Sequence, residues 1–463
     1  MDSTETDRQE HQNLSYMLTT PIPRLVARMA VPTVITMLVT SVYGLADMFF
    51  VSELGTSASA AVGIVLSIMT MIQAVGFMLG MGAGSLISRR LGEGKDEEAD
   101  GLATTAFFSA LGGGVVVMGL GILFKTELMR LLGATHTILP YAEDFAHYIL
   151  IASPVMCGAF VLNILLRSQG RARLSMIGMG CGVLLNIILE PVFIFRLKMG
   201  IGGAAVATCI SQTVSLLVLL AMYLSHKDLS RIRLRLLPAS LPRFLPRICL
   251  SGSASLLRQG LVGVANGLLN IQASSYGDAA GAGIAITSRV FLVVISVMFG
   301  IGQGFQPVAG FCFGAGRLAR VRQAYWFTLA VSTALQLAFA VALFCLARHT
   351  VQVFQKAPEV VNLGSAAIRF YALSLPFLPL SVVTNMLFQA TGQNRQSLFL
   401  SSCRQGIFFL PLILILPRLF GLTGVELSQP LANLLSGLIA LPFLARFFSG
   451  LRSEEGLATG DGS

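Results

Sequence analysis

Twelve apolar runs, each about 20 residues or more and long enough to cross a bilayer, divide this chain of 463 residues. Lipid offers no partner to a backbone N–H or C=O, so a chain that crosses it must close its hydrogen bonds within a helix or around a barrel. Barrel strands are about 10 residues long and alternate in hydrophobicity; these runs are longer and uniformly apolar. The reading is an all-α membrane protein with twelve transmembrane helices, near residues 29–51, 59–87, 103–124, 141–165, 174–196, 203–225, 247–272, 281–309, 325–347, 367–390, 397–417 and 424–447. Only 12% of the residues are charged, against roughly 25% in soluble domains, which excludes a soluble enzyme or binding domain.

The net charge of +10 does not point to nucleic acid. The basic residues sit in short loops between apolar runs, where membrane topology places them. With the N-terminus inside, 21 Lys and Arg fall on the cytoplasmic side and 7 on the other. The positive-inside rule therefore sets both termini in the cytoplasm. The seven cysteines show no CxxC and no close pairs, and read as small apolar residues. The five histidines are scattered, so no metal cluster is expected. The polar first twenty residues lack the pattern of a cleavable signal.

An internal repeat divides the chain. Met78-Leu-Gly80-Met-Gly82-Ala-Gly84 returns as Met298-Phe-Gly300-Ile-Gly302-Gln-Gly304, Gly92-Glu-Gly94 as Gly314-Ala-Gly316, and Ser168-Gln-Gly170 as Ala390-Thr-Gly392, all shifted by about 220 residues. Six spans per repeat give both halves the same orientation, hence a pseudo-two-fold axis along the membrane normal with a cavity between the bundles. The expected organisation is a disordered tail at 1–22, a six-helix lobe at 23–225, a basic linker at 226–246, a second six-helix lobe at 247–448 and a tail at 449–463. The linker either obeys topology or attracts anionic membrane lipid. The glycines at 80–84 allow close helix contact.

Two carboxylates interrupt the apolar runs, Asp47 in the first and Glu190 in the fifth. A charge at the bilayer centre costs about 2.5–3.5 kcal/mol on insertion scales, so such groups tend to be functional. At 1.5 Å per helical residue both lie roughly 24–27 Å from the cytoplasmic end of their spans. Asn186 is one turn from Glu190 on the same helix face. Tyr148 in span four and Thr208 in span six fall at a similar depth. Loss of water and a second negative charge both favour the neutral carboxyl, so the pair suits uptake of a proton, or of Na⁺ with oxygens from Asn186 and Thr208. The alternative is that each acid only bonds neighbouring helices. Around the corresponding positions the second half has Asn266, Gly267 and Leu412, so coupling is expected in the first half alone. Arg258-Gln259-Gly260 and Arg404-Gln405-Gly406 are matched triplets; they either bond carbonyls and glutamines to lock the second bundle, or shape a pocket. Pro32 marks a fixed kink or a hinge in the first helix.

In order and spacing, Pro32, Gly44-Leu-Ala-Asp47, Asn186-Ile-Ile-Leu-Glu190-Pro191, Gly202-Gly-Ala-Ala-Val-Ala-Thr208, Leu257-Arg-Gln-Gly260, Gln306-Pro307 and Arg404-Gln-Gly406 resemble the multidrug and toxic compound extrusion (MATE) transporters, nearest the staphylococcal-type exporters. The resemblance spans about residues 22–448. It implies two six-helix lobes in the bacterial inner membrane. It also implies export of small organic cations or amphiphilic drugs in exchange for H⁺ or Na⁺, with no other cofactor, by a monomer. It assigns Asp47, Asn186 and Glu190 to the cation site, Thr208 to a ligand position, Tyr148 only loosely to the family's tyrosine, and Pro32 to a bending helix. Glu190 departs from the commoner Asp, Cys312 stands where Asn is frequent, and the acids some branches carry on helices seven and ten are missing. A related cargo, a lipid-linked oligosaccharide carried by a flippase, would use a basic cavity near Arg258, Arg289 and Arg404. No nucleophile–base spacing suggests an enzyme.

Overall fold

A computed structural model describes residues 16–226 and 229–460. Among the described residues twelve helices are long and apolar enough to cross a membrane, and each expected span lies on its own helix. They are α1 (Ile22–Ser52), α2 (Thr56–Gly92), α3 (Asp96–Leu123), α4 (Leu139–Ser168), α5 (Ala172–Arg196), α6 (Gly200–Ser225), α7 (Leu237–Ser274), α8 (Asp278–Gly314), α9 (Leu318–Phe354), α10 (Pro358–Thr391), α11 (Asn394–Phe420) and α12 (Leu422–Gly460). Prolines and turns of non-α pitch interrupt three of them. A π turn, Val192–Arg196, follows Pro191 in α5. A 3₁₀ turn, Leu375–Phe377, breaks α10 beside Pro376 and Pro379. A second π turn, Cys403–Phe408, breaks α11. All seven cysteines are free.

The helices outrun the apolar segments, because a polar end residue does not stop a helix once the next turn is paired. The stretch read as linker therefore shrinks. Helix α7 begins at Leu237, with Pro238 in its first turn, where proline costs no hydrogen bond. The preceding residues lie on α3: Arg231 N–H donates to Asp100 Oδ1 at 2.5 Å and Arg233 N–H donates to the Thr104 hydroxyl at 3.1 Å, and from within α7 Arg243 pairs with Glu98 at 2.8 Å. The expected C-terminal tail is helical as far as Gly460. Of the expected N-terminal tail, residues 1–15 lie outside the described residues. Residues 16–19 form a helical turn, and Met17 and Ile22 are buried, so tail and span are continuous in the core.

The repeat reappears as backbone geometry. Glycines with positive φ recur in pairs: Gly55 and Gly277 at 106° and 105°, Gly94 and Gly316 at 70° and 68°, Gly170 and Gly392 at 82° and 83°, Gly200 and Gly421 at 59° and 60°. These are conformations that L side chains avoid, so the same turns close the same helix junctions in each half. A side-chain staple also repeats. Asn163 donates to the Ser175 carbonyl and hydroxyl at 3.3 and 2.6 Å, tying α4 to α5. Asn385 donates to the Ser397 carbonyl and Ser401 hydroxyl, both at 2.8 Å, tying α10 to α11.

One apolar core fills the first half, from Val51 to Ile248, and smaller ones fill the second. Helix α1 belongs to both halves. Its start (Ile22, Leu25, Val26, Met29) is buried with Phe305, Tyr325 and Phe388 of the second half. Its far end carries Asp47 toward α5. Pro32, buried within one continuous helix, lies just past that shared start. On either side of it, Ala30 and Val34 touch α8 at Gly304 and Gly300, where a Cβ would collide with their backbone atoms.

The halves meet at the end of the molecule that carries the basic loops. Gly82 of α2 faces Ile248 and Gly252 of α7 backbone to backbone, and Gly92 faces Phe311 and Ala315 near the end of α8. Close contact through glycine is what the 80–84 stretch predicted. A polar seam runs beside it. The Ser85 and Ser251 hydroxyls bond at 2.8 Å, Gln389 donates to Ser251 O and Ser255 Oγ at 3.3 and 3.0 Å, and Arg167 of α4 donates to Gln303 of α8.

Candidate functional site

Three helices bring the predicted acids together. Asp47 lies in the next-to-last turn of α1, Asn186 and Glu190 one turn apart on α5, and Thr208 in the third turn of α6. All four side chains are buried, Glu190 completely. Pro191 and the π turn after it follow Glu190 directly, so the backbone beyond it departs from α-helical register. The Asp47 and Glu190 carboxyl groups are within hydrogen-bonding reach of each other. With the Asn186 amide turned to satisfy both neighbours, its nitrogen donates to Glu190 Oε2 at 3.2 Å. Its oxygen then accepts from the Thr208 backbone N–H at 3.3 Å and the Thr208 hydroxyl at 3.1 Å. One oxygen of each acid, Asp47 Oδ1 and Glu190 Oε1, is buried without a partner. Two carboxyl groups in contact repel when both are ionised, so a proton between them, or a bound cation, relieves both the repulsion and the unpaired oxygens.

Tyr43 was not foreseen. It stands one turn before Asp47 on the same face of α1, within hydrogen-bonding reach of Thr208 and close to both acids. On the basic-loop side of Asn186, a narrow cavity is lined by Tyr43, Gly182, Ser211, Gln212 and Ser215. The Ser211 hydroxyl and Gln212 Oε1 are buried there without partners. The i, i+4 spacing of Tyr43 and Asp47 was the available signal. Tyr148 stands apart from this cluster: its carbonyl accepts from Cys209 Sγ at 3.2 Å, its ring meets His147 edge-on, and it packs on the first-half core. Among the described residues no hydrogen bond links it to the acids.

In the second half, Arg258 and Arg404 converge on the face of Phe299, their guanidinium carbons 5.0 and 5.9 Å from the ring centre. Among the described residues neither forms an ion pair or bonds a carbonyl or glutamine. Gln405 is buried with Oε1 unpartnered, and among the described residues the Gln259 side chain on α7 has no hydrogen-bond partner. The locking reading of these triplets is therefore not what the side chains do; the arginines line a pocket. Arg289 is exposed and lies outside it. A buried acid that the sequence reading passed over, Glu426 on α12, lies near Tyr371, whose hydroxyl is unpartnered. Among the described residues no three His, Cys, Asp or Glu could hold a metal ion together.

The MatE family model matches the chain twice, at residues 32–192 and 255–415, one copy per half. The multidrug export protein MepA of Staphylococcus aureus (strain MSSA476) is 26% identical over 433 residues, covering 93% of this chain and 95% of that protein. The outward-facing conformation of a multidrug resistance MATE family transporter of the MOP superfamily superposes with a TM-score of 0.89 at 26% identity, covering 94% of this chain and 98% of that one. A MOP superfamily transporter from Pyrococcus furiosus, described as having a binding pocket of reverse polarity that suggests a different function, superposes with a TM-score of 0.88, also at 26% identity, over 94% of this chain and 98% of its own.

Proposed function

This chain belongs to the MatE family of multi-pass membrane transporters, and from that premise we propose that it exports organic cations or amphiphilic drugs in exchange for protons taken up at Asp47 and Glu190. The observation that carries the reading is the contact between two buried carboxyl groups, each with one unpartnered oxygen. A single proton shared by the pair removes a repulsion, so its arrival and departure change how α1 sits against α5. That change biases a two-state arrangement by the difference in proton affinity between the states. Na⁺ fits less well. Asn186 turns its N–H to Glu190 and gives its oxygen to Thr208, which withdraws one ligand from a cation that binds oxygen.

The contacts at the basic face support a state closed toward the cytoplasm, with both termini on that side of a bacterial inner membrane and the protein acting as a monomer. Pro32, between the part of α1 buried in the second half and the part that carries Asp47, is then the hinge. The deciding experiment uses proteoliposomes with ethidium inside and the pH and Na⁺ gradients imposed separately. Export driven by the proton gradient alone is expected. Export that needs Na⁺ at constant pH refutes proton coupling. A second reading, a flippase for lipid-linked oligosaccharides, draws support from the unpaired Arg258 and Arg404 and from the reversed polarity described for the Pyrococcus transporter. Purified protein that scrambles such a lipid and leaves ethidium in place would favour it.

A further inference from the structure

A pair of arginines without a countercharge is costly in the interior of a membrane protein, since guanidinium stays ionised. Arg404 is 7% exposed, and the Nε of Arg258 is buried with no partner. Four helices converge on them: Arg258 comes from α7, Phe299 from α8, Ser381 and Asn385 from α10, Ser401 and Arg404 from α11. They line a small, half-open cleft with no acid in its wall and an interior of about 20 Å³, room for about one water-sized group, such as a head-group oxygen, with the rest of a ligand lying outside. The ring of Phe299 attracts both cations but carries no net charge. The Asn385 amide is committed to Ser397 and Ser401. The Ser401 hydroxyl accepts that bond and donates to nothing among the described residues, and Ser381 forms no hydrogen bond there. Two guanidinium groups and two hydroxyl hydrogens therefore face one cavity.

The fold does not require this arrangement. The first half builds the same helix contact with the Asn163–Ser175 staple. There the repeat puts Gly182 at the place of Arg404 and Thr36 at the place of Arg258. The scaffold thus closes without the cations. Arg404 is also displayed from the π turn of α11, a distortion that recurs at functional sites.

We infer that Arg258, Arg404, Ser381 and Ser401 form a preformed oxyanion pocket over Phe299, which takes the carboxylate or phosphate group of an amphiphile. Binding there requires no transport, so the inference stands or falls apart from the export reading. The test measures binding of 11-(dansylamino)undecanoic acid and its uncharged methyl ester to the purified full-length protein in detergent. The acid is expected to bind at least tenfold more tightly than the ester. Each charge-assisted contact is worth about a ten- to hundredfold in affinity, so the preference should vanish in Arg258→Gln/Arg404→Gln and largely persist in Arg404→Lys. Displacement of the acid by inorganic phosphate identifies a free oxyanion as sufficient. Displacement by dioctanoyl phosphatidylglycerol alone identifies an amphiphile head group. Both results support the pocket. Equal binding of acid and ester by the unmodified protein overturns it, as does a preference that survives in a double variant eluting as a monodisperse peak. The unmodified-protein comparison is independent of whether any variant folds.

Discussion

Gly252 leaves no room for a single added methyl group where the halves meet. A Cβ there would lie against the Met78 carbonyl, 2.7 Å from its carbon and 3.1 Å from Met78 Cα. These are backbone atoms in the middle of α2, so no side chain can swing aside; α2 and α7 must separate. Forcing a methyl or methylene into a filled contact costs about 1–3 kcal/mol. That cost falls on the state in which the basic face is closed and is absent when the helices part, so Gly252→Ala should shift the balance between the two by about 5- to 150-fold. Spin labels on the exposed Glu97 of α3 and Arg322 of α9, in a background lacking the exposed Cys181 and Cys345, report the separation across that face by pulsed electron resonance. The alanine variant should gain a longer-distance population at the expense of the short one. A distribution that superimposes on the parent's, in protein that still inserts and folds, refutes the claim that this contact holds the halves together.

Three further outcomes follow from the geometry. Asp47→Asn and Glu190→Gln should each abolish proton-driven ethidium export from vesicles while leaving insertion intact; normal export in both variants would remove the coupling role of the pair. Tyr43→Phe removes one hydroxyl beside Thr208 and should slow exchange about five- to tenfold, the value of one hydrogen bond near 1 kcal/mol, with the drug spectrum unchanged; wild-type turnover would return Tyr43 to a purely apolar role. Arg167 is buried and bonded across the interface to Gln303, so a double-mutant cycle with Arg167→Met and Gln303→Leu, read by thermal unfolding in detergent, should give a coupling of about 1.5–3 kcal/mol. A coupling near zero would mean that the bond contributes nothing to closure.

The spans were legible because hydrophobicity sustained over twenty residues is a local property that tertiary contacts do not overwrite. The pairing of Asn186 with Glu190 was legible for a similar reason, since helical spacing fixes which side chains share a face. What the sequence hid depends on contacts between distant residues. Tyr43 reads as one more aromatic in an apolar run until α6 brings Thr208 beside it. Glu426 sits near the start of α12 like many solvated acids, and only its enclosure beside Tyr371 of α10 makes it unusual. Depth counting grouped Tyr148 with the acids, but depth says nothing of which way a helix turns its face, and Tyr148 turns toward apolar core and His147. The basic stretch at 226–246 read as linker, although Pro238 falls in a first turn, where proline is compatible with helix, and α7 starts there and runs on through Pro242 and Pro246.

The repeat and the chemistry follow different rules in this molecule. Four glycine turns and two asparagine staples recur with nearly the same angles and partners, so duplication supplied the helix junctions. The ionisable pairs do not recur: the first half brings two acids together from α1 and α5, and the second brings two arginines together from α7 and α11, while each half also buries one group of the other sign, Arg167 in the first and Glu426 in the second. The pocket beside the acids and the pocket between the arginines share no lining residue. Cation chemistry in the first half and the anion binding inferred for the second therefore sit in different places, and substitution can alter either one without touching the other.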